Sequence, residues 1–266
     1  MTIIATESWH LIVGGGFLIG FLVGLTGVGA GALTTPLLIT GVGLPPAIAV
    51  GTDLLFASLT KASAAWRHHR LGNVDWRILR WLAAGSLPGA ALMLAWLTFA
   101  HPDTRLLALM IRKWLAITLF ASAVAIALYP WLMRRRAERT AAVAETEPQR
   151  KFATLAFGIV LGMLVTLTSV GAGSIGVTVL TALYPGLIMR RLVGTDIVHA
   201  IPLTMLSGLG HAQLGNIDTQ VLMLLLAGSI PGIAIGSRVT GLVPDWVLRI
   251  VLAAVMVNAG YLLLPK

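Results

Sequence analysis

Chief among the ionisable side chains inside long apolar stretches of this chain are Asp53, Lys61 and Asp196. A charge at membrane depth costs about 2.5 kcal/mol or more, so each is a functional candidate by default. Asp53 and Asp196 close the same tripeptide, Gly-Thr-Asp, at 51–53 and 194–196, which adds Thr52 and Thr195 as hydroxyl neighbours. The carboxylates suit ion coupling or a proton relay. The alternative is a capping role, in which the Thr or Asp satisfies the first turn of the helix that follows. On a helix, Lys61 falls about 80° and His68 about 60° around the axis from Asp53, on one face. Lys61 there would pair with Asp53 or meet an anion, unless it snorkels toward Arg67. In the second half Thr204 takes the place of Lys61, and Asp196, Thr204, Ser207 and His211 share the corresponding face, with His199 at its edge.

A second pattern concerns the backbone. GLTGVGAG at 24–31 is matched by TLTSVGAG at 166–173. Glycine lets a helix break cheaply, and the first N–H groups of a helix that restarts have no intrahelical partner. Those donors, with the positive end of the helix dipole, attract an anion. The candidate anion-binding residues are therefore Thr26, Gly27, Gly29, Gly31, Thr168, Ser169, Gly171, Gly173 and Ser174, together with Lys61. Gly16, Gly20 and Gly24 form a small-xxx-small series that close helix packing explains without a ligand.

Composition says what solvent these groups sit in. Of 266 residues 57% are hydrophobic and 11% charged, and the mean hydropathy is +0.90. A soluble domain carries about 25% charged residues, so most of this surface must face lipid. The absence of cysteine removes disulfides and thiolate metal sites. The net charge of +9 comes from short basic clusters flanking apolar runs, at 67–70, 77–80, 134–139, 150–151 and 190–191. That distribution follows the positive-inside rule and argues against nucleic acid as a partner. The first nine residues lack Lys and Arg, so the N-terminal apolar run is expected to remain in the mature protein.

A bilayer core of about 30 Å needs about 20 apolar residues per helix. Such runs lie at 46–66, 78–99, 114–133, 188–212, 219–238 and 245–264, while 9–41 and 152–186 are too long for one span and are interrupted by small residues. Each of these two is expected to be a broken helix or a pair of short ones. The hydrophilic stretch 134–151 reads as a cytoplasmic basic linker between a first membrane repeat (1–133) and a second (152–266). The repeat is visible at a nearly constant offset. Besides the two motifs above, Leu71, Gly72, Asn73 and Asp75 match Leu214, Gly215, Asn216 and Asp218; Gly85, Ser86, Pro88 and Gly89 match Gly228, Ser229, Pro231 and Gly232; and His68 matches His211. The fold class is thus an all-α polytopic membrane protein of two homologous repeats, four to five helices each, with glycine-interrupted helices near the midplane. Parallel repeats with four spans each and inverted repeats with five are both open; inversion gathers Arg190, Arg191 and Arg238 on the linker side.

His68 and His211 lie at helix ends beside the Leu-Gly-Asn-x-Asp turns, where histidine either shuttles protons or caps. Asn73, Asp75, Asn216 and Asp218 look like turn residues that cap the next helix. Pro88 and Pro231 should kink their helices and are hinge candidates. With Asp53, Asp196, Thr52 and Thr195, these histidines and prolines make up the coupling or gating set. Trp9, Trp76, Trp114, Trp131 and Trp246 read as an interfacial belt.

The duplicated glycine motif, the Gly-Thr-Asp pair and the Leu-Gly-Asn-x-Asp turns resemble the TauE/SafE family of sulfite-exporter-like membrane proteins over nearly the whole chain. The glycine that often follows the motif in that family is replaced here by Ala32 and Ser174. The resemblance implies an inner-membrane secondary carrier of a small anion, a sulfur-containing oxyanion or organosulfonate such as sulfite or sulfoacetate, with export favoured. No GxxxxGK[ST] sequence supplies ATP hydrolysis, no cofactor or metal is called for, and lipid, the anion and a second copy in a homodimer are the partners compatible with this reading. A passive anion channel and an intramembrane hydrolase using Ser207 and His211 are the competing classes.

Overall fold

The computed structural model describes residues 9–26, 31–100, 102–139, 147–239 and 242–264, and these are helical throughout apart from turns. In chain order the helices are α1 (Trp9–Thr26), α2 (Gly31–Pro36, continued by a π-helical turn Leu37–Gly41), α3 (Pro46–Arg70), α4 (Trp76–Phe99), α5 (Thr104–Arg139), α6 (Glu147–Thr168), α7 (Ser174–Leu183), α8 (Met189–Gln213), α9 (Thr219–Arg238) and α10 (Asp245–Leu263). Six of them, α4, α5, α6, α8, α9 and α10, are long and apolar enough to cross a membrane. α3 matches α8 in length, but Asp53, Lys61 and its hydroxyl residues lower its apolar character. The expected interruption of 152–186 falls at 169–173, between α6 and α7. The corresponding part of 9–41, residues 27–30, lies outside the described residues.

The two Leu-Gly-Asn-x-Asp turns are built alike. Leu71 and Leu214 end α3 and α8, and Gly72 (φ 67°) and Gly215 (φ 74°) take the left-handed conformation that this helix end requires. Asn73 N donates to His68 O (3.0 Å) and Gly72 N to His69 O (3.1 Å); Asn216 N to His211 O (2.9 Å) and Gly215 N to Ala212 O (3.0 Å) repeat the pattern. Asp75 then caps α4, accepting from Arg77 N and Ile78 N, and Asp218 caps α9, accepting from Val221 N. Turn and cap roles at both sites thus follow from sequence as expected.

Each corner receives the Gly-Thr-Asp segment of the other half. Thr52 Oγ1 accepts from Asp218 N (3.0 Å), and Thr195 Oγ1 accepts from Asp75 N (2.8 Å). A Cβ on Gly51 would overlap the Asn216 carbonyl, and one on Gly194 the Asn73 carbonyl. α3 and α8 are therefore antiparallel, the first turns of each lying on the corner that ends the other. Glycine spacing sets the remaining directions. Gly16, Gly20 and Gly24 of α1 meet Leu225, Ser229 and Ile233 of α9 in the same order, and Gly85 and Gly89 of α4 meet Leu155 and Ile159 of α6 likewise, so these pairs run parallel. Combining the contacts, α1 opposes α6, α3 opposes α8 and α4 opposes α9: matched segments run in opposite directions. α1 and α3 are parallel to each other, so the short stretch 31–41 runs back between them, and α7 does the same between α6 and α8.

These directions bring Arg67, Arg70, Arg77, Arg80, Arg150, Lys151, Arg190, Arg191, Arg238 and Arg249 to one end of the bundle, while Arg105, Arg112 and Lys113 stand toward the other. Buried apolar side chains form two clusters, one centred on Ile12, Leu38, Leu115, Leu225 and Met256, the other on Leu54, Leu82, Leu161, Leu192 and Leu203. Large apolar side chains such as Phe99, Phe152 and Tyr261 stay exposed, as a lipid-facing surface requires; of the five belt tryptophans, all exposed, Trp9, Trp76 and Trp246 stand at helix starts while Trp114 and Trp131 lie within α5. α4 and α9 continue through Pro88 and Pro231, each flanked by the glycines packed on α6 and α1.

Lipid is as apolar as a leucine side chain, so helix association here depends on close backbone approach rather than on water exclusion. Gly51→Val and Gly194→Val should each lower the thermal midpoint of the purified protein, by an amount corresponding to about 1–3 kcal/mol of overpacking. Gly14→Ala, where nothing lies within 4 Å of an added Cβ, should be neutral or stabilising by about 0.5–1 kcal/mol. Equal midpoints for all three would remove the corner contacts from the account of stability.

Candidate functional site

The turn 169–173, between two apolar helices, holds two glycines at φ values beyond the left-handed helical region. Gly171 (φ 125°) and Gly173 (φ 115°) hold conformations closed to other residues, and Ser169 ends α6 in the left-handed region (φ 60°) with its N–H on Val165 O at 2.7 Å. α7 restarts at Ser174 with Gly173 as its cap and no side chain capping it. The last residue of the first-half motif is adjacent: a Cβ on Gly31 would overlap the Ser169 carbonyl. The two glycine motifs therefore meet, although Gly27 and Gly29 lie outside the described residues, as does the side chain of Thr26.

Around this turn the structure gathers the three intramembrane charges. Asp53 and Asp196 are fully buried and Lys61 is 9% exposed. Asp53 lies well inside α3, and Asp196 well inside α8, because Pro45 and Ile188 rather than the Gly-Thr-Asp residues precede the first turns; neither carboxylate is a cap. Thr35 Oγ1 donates to Asp53 Oδ2 (2.5 Å), with Thr34 and Ser169 alongside. Asp53 Oδ1 has no partner among the described residues. Asp196 faces the Gly173 amide, but neither of its oxygens completes a hydrogen bond among the described residues. Its Oδ1 lies in the space a Cβ on Gly176 would need. Lys61 acts electrostatically on both carboxylates, and its Nζ points to Ala172 O at 3.5 Å. It does not snorkel: an ammonium this deep is held by the two carboxylates and a turn carbonyl, which offset a desolvation cost that a lone charge could not. A single five-residue turn thus lies beside all three: Ser169 near Asp53, the Ala172 carbonyl toward Lys61 and Gly173 near Asp196.

Other expected donors are engaged elsewhere. Thr168 Oγ1 donates to Leu164 O (2.7 Å) on its own helix, and Ser174 Oγ to Ser122 Oγ (2.8 Å) on α5. Thr52 and Thr195 serve the interhalf corners rather than a cavity. His211 Nε2 meets Thr166 O (3.0 Å), and Ser207 Oγ meets Thr166 Oγ1 (2.7 Å). Both residues of the hydrolase reading thus turn to Thr166 rather than to each other. His68 is half-buried beside Gly194.

Sequence reasoning did not single out Thr34, Thr35 or Arg249, which the fold brings here, and placed His199 only at the edge of the Asp196 face. Thr34 and Thr35 follow the first glycine motif after two residues, Ala32 and Leu33, and their closeness to it was the available signal. His199 Nε2 lies 2.6 Å from Ser86 Oγ, both fully buried, joining α8 to α4. Arg249 stacks over the Tyr129 ring at 4.4 Å. It is a single cation one turn into an apolar run, the criterion that drew attention to Lys61, but no motif marks it. Arg249, Tyr129, Gly173, Ser174, Thr178 and Asp196 line one cavity of about 200 Å³. Its walls come from α8, α10, α5 and α1 near the ends that carry the basic residues, so it leads from that end to the start of α7.

A pocket that ends on a helix N-terminus, with a carboxylate and an ammonium beside it inside an apolar bundle, is a candidate site for a small ion or solute. The comparisons bear on the class of the whole chain. The family model described as "Sulfite exporter TauE/SafE" matches residues 12–263. The chain is 35% identical over 245 residues to the "Probable membrane transporter protein YjnA" of Bacillus subtilis, covering 92% of this chain and 95% of that protein. It is 28% identical over 257 residues to the "Probable membrane transporter protein YdhB" of the same organism, covering 93% and 97%. A protein of Methanocaldococcus jannaschii, also named a probable membrane transporter, is 24% identical over 265 residues, covering 94% and 92%. No solved structure matches the chain significantly. The chain belongs to the sulfite exporter TauE/SafE family of membrane transporters.

Proposed function

We propose that this transporter is a secondary carrier that exports a small anion, a sulfur-containing oxyanion or organosulfonate such as sulfite or sulfoacetate, from a bacterial cytoplasm across the plasma membrane. The observation that carries this reading is the α7 N-terminus, approached by a cavity from the basic end and flanked by Asp196 and Lys61. Backbone N–H groups at a helix start are anion donors. Here a carboxylate already faces the first of them. An ionised Asp196 excludes a second negative charge from that place; a protonated Asp196 leaves the amides to the substrate, with Lys61 as countercharge. Loading the anion is thereby linked to loading a proton.

The positive-inside rule makes the basic end, with the 134–151 linker, the cytoplasmic one, so the cavity opens inward. A membrane potential negative inside contributes about 2.3 kcal/mol per charge per 100 mV toward anion exit, which favours export. Opposed matched segments, 31–41 and α7 returning between full-length helices, are also the architecture in which alternating access operates.

Counterflow in proteoliposomes tests the class: saturable exchange of labelled sulfite or sulfoacetate that depends on internal unlabelled anion indicates a carrier, whereas flux without exchange indicates a channel. Sulfate, thiosulfate and small carboxylates in the same assay, with thermal shifts of the purified protein, define the anion. Gly171→Val, and Gly29→Val by correspondence, should abolish exchange while the folded protein persists in the membrane; wild-type rates would sink the turn as the anion site.

Asp196→Asn should make exchange nearly independent of pH between about 5 and 8, since the group that must take up a proton is then always neutral. Lys61→Met should reduce exchange by about tenfold or more, equivalent to about 1.4 kcal/mol. An unaltered pH profile in the first variant contradicts proton linkage, and an unaltered rate in the second contradicts the countercharge role.

A further inference from the structure

A second cavity, of about 600 Å³, lies at the same end of the bundle and away from the transport turn. Asp75, Arg77, Arg80 and Trp81 from the start of α4, Arg150 and Lys151 from α6, and Tyr184, Gly186 and Leu187 from the segment between α7 and α8 line it. Four cations thus converge on one concave space that three separate chain segments enclose. The single acidic residue, Asp75, is already occupied: its Oδ1 accepts from Arg77 N at 3.0 Å and Ile78 N at 3.2 Å as the cap of α4. Capping does not remove its charge, but four cations against one carboxylate leave the lining with an excess of positive charge.

Basic clusters at helix ends are ordinary in membrane proteins and by themselves satisfy only the orientation rule. Two observations separate this one. It is a cavity rather than a convex patch, closed at one side where Thr154 Oγ1 and Tyr184 OH meet at 2.7 Å and join α6 to the end of α7. Its wall is mixed: the exposed Trp81 and the partly buried Leu187 line it beside the cations, side chains suited to the headgroup level and the first methylenes of an acyl chain. Arginine forks bind phosphate oxygens bidentately, and a basic pocket between membrane helices with an apolar margin takes an anionic headgroup in preference to a free solute.

We infer that the cavity between α4, α6 and the 184–187 segment binds the phosphate headgroup of an anionic phospholipid. The site is independent of which anion the transport turn carries. Asp75 N is also the donor to Thr195 in the interhalf corner (2.8 Å), so a lipid held here rests directly on one of the two contacts that join the halves.

Native mass spectrometry of the delipidated full-length protein, titrated with phosphatidylglycerol or phosphatidylcholine, tests this. Phosphatidylglycerol should be retained in at least about tenfold preference, and the triple variant Arg77→Gln, Arg80→Gln, Lys151→Gln should lose that preference. The variant Arg190→Gln, Arg191→Gln, whose residues lie at the same end but outside the cavity, should keep it. Equal retention of the two lipids by the wild type would overturn the proposal, as would an equal loss in both variants, which marks general surface attraction. Displacement of the lipid by millimolar inorganic phosphate would also overturn it, because it identifies a site for a free anion. If the triple variant does not fold, Lys151→Gln alone, read with the wild-type lipid preference, decides the same question. Transport activity enters none of these readouts.

Discussion

The two contacts between a Gly-Thr pair and a helix corner of the opposite half are what the remaining architecture rests on. Thr52 and Thr195 are fully buried where each corner packs on the other half, and water excluded from that contact cannot complete its hydrogen bonds, so the polar backbone there must be satisfied by protein. At each corner the turn satisfies part of this demand itself, through its two backbone bonds and its Asp cap. The remaining N–H, that of Asp75 or Asp218, is taken by the threonine hydroxyl from the other half. Glycine beside that threonine is required because the carbonyl of Asn216 or Asn73 occupies the volume of a Cβ. Once both corners are engaged, α3 and α8 must lie antiparallel, and the parallel glycine seams α1 with α9 and α4 with α6 bring the remaining helices into register.

That register decides where the charges fall. Asp53 and Asp196 follow the corner threonines immediately in sequence, so the contact that joins the halves also fixes both carboxylates inside the bundle. Only one lysine answers them. Lys61 has Thr204 as its counterpart, and the turn 169–173 sits against this uneven set. Backbone symmetry and chemical asymmetry are thus combined, and the asymmetry is concentrated where the cavity from the basic end stops. Arg249 with Tyr129 at that cavity and the cationic cavity beside α4 and α6 give the same end of the molecule two different ways of meeting negative charge.

Much of this was legible from residue order. The repeat, the broken character of 152–186, the turn and cap roles of 71–75 and 214–218, and the glycine series on α1 all depend on local rules: left-handed φ for glycine, side-chain capping, small residues for backbone approach. Interactions between the halves were not legible. Thr52 and Thr195 read as neighbours of a coupling carboxylate, because nothing in a linear pattern says which distant N–H a hydroxyl will meet. Thr168 and Ser174 read as donors toward an anion, whereas helix geometry turns one to its own backbone and α5 brings Ser122 to the other.

By itself the sequence determined the solvent, the duplication and the short list of intramembrane charges, since hydropathy, spacing and residue type are properties of a linear chain. Only the tertiary structure decided that matched segments oppose one another and that Lys61 lies between Asp53 and Asp196 rather than reaching for the interface. It also decided that Arg249 belongs with Asp196 in one cavity. Each of these is a distance between residues far apart in the chain. Such distances follow from the mutual satisfaction of buried polar groups across the two halves, a constraint that exists only once the helices are packed.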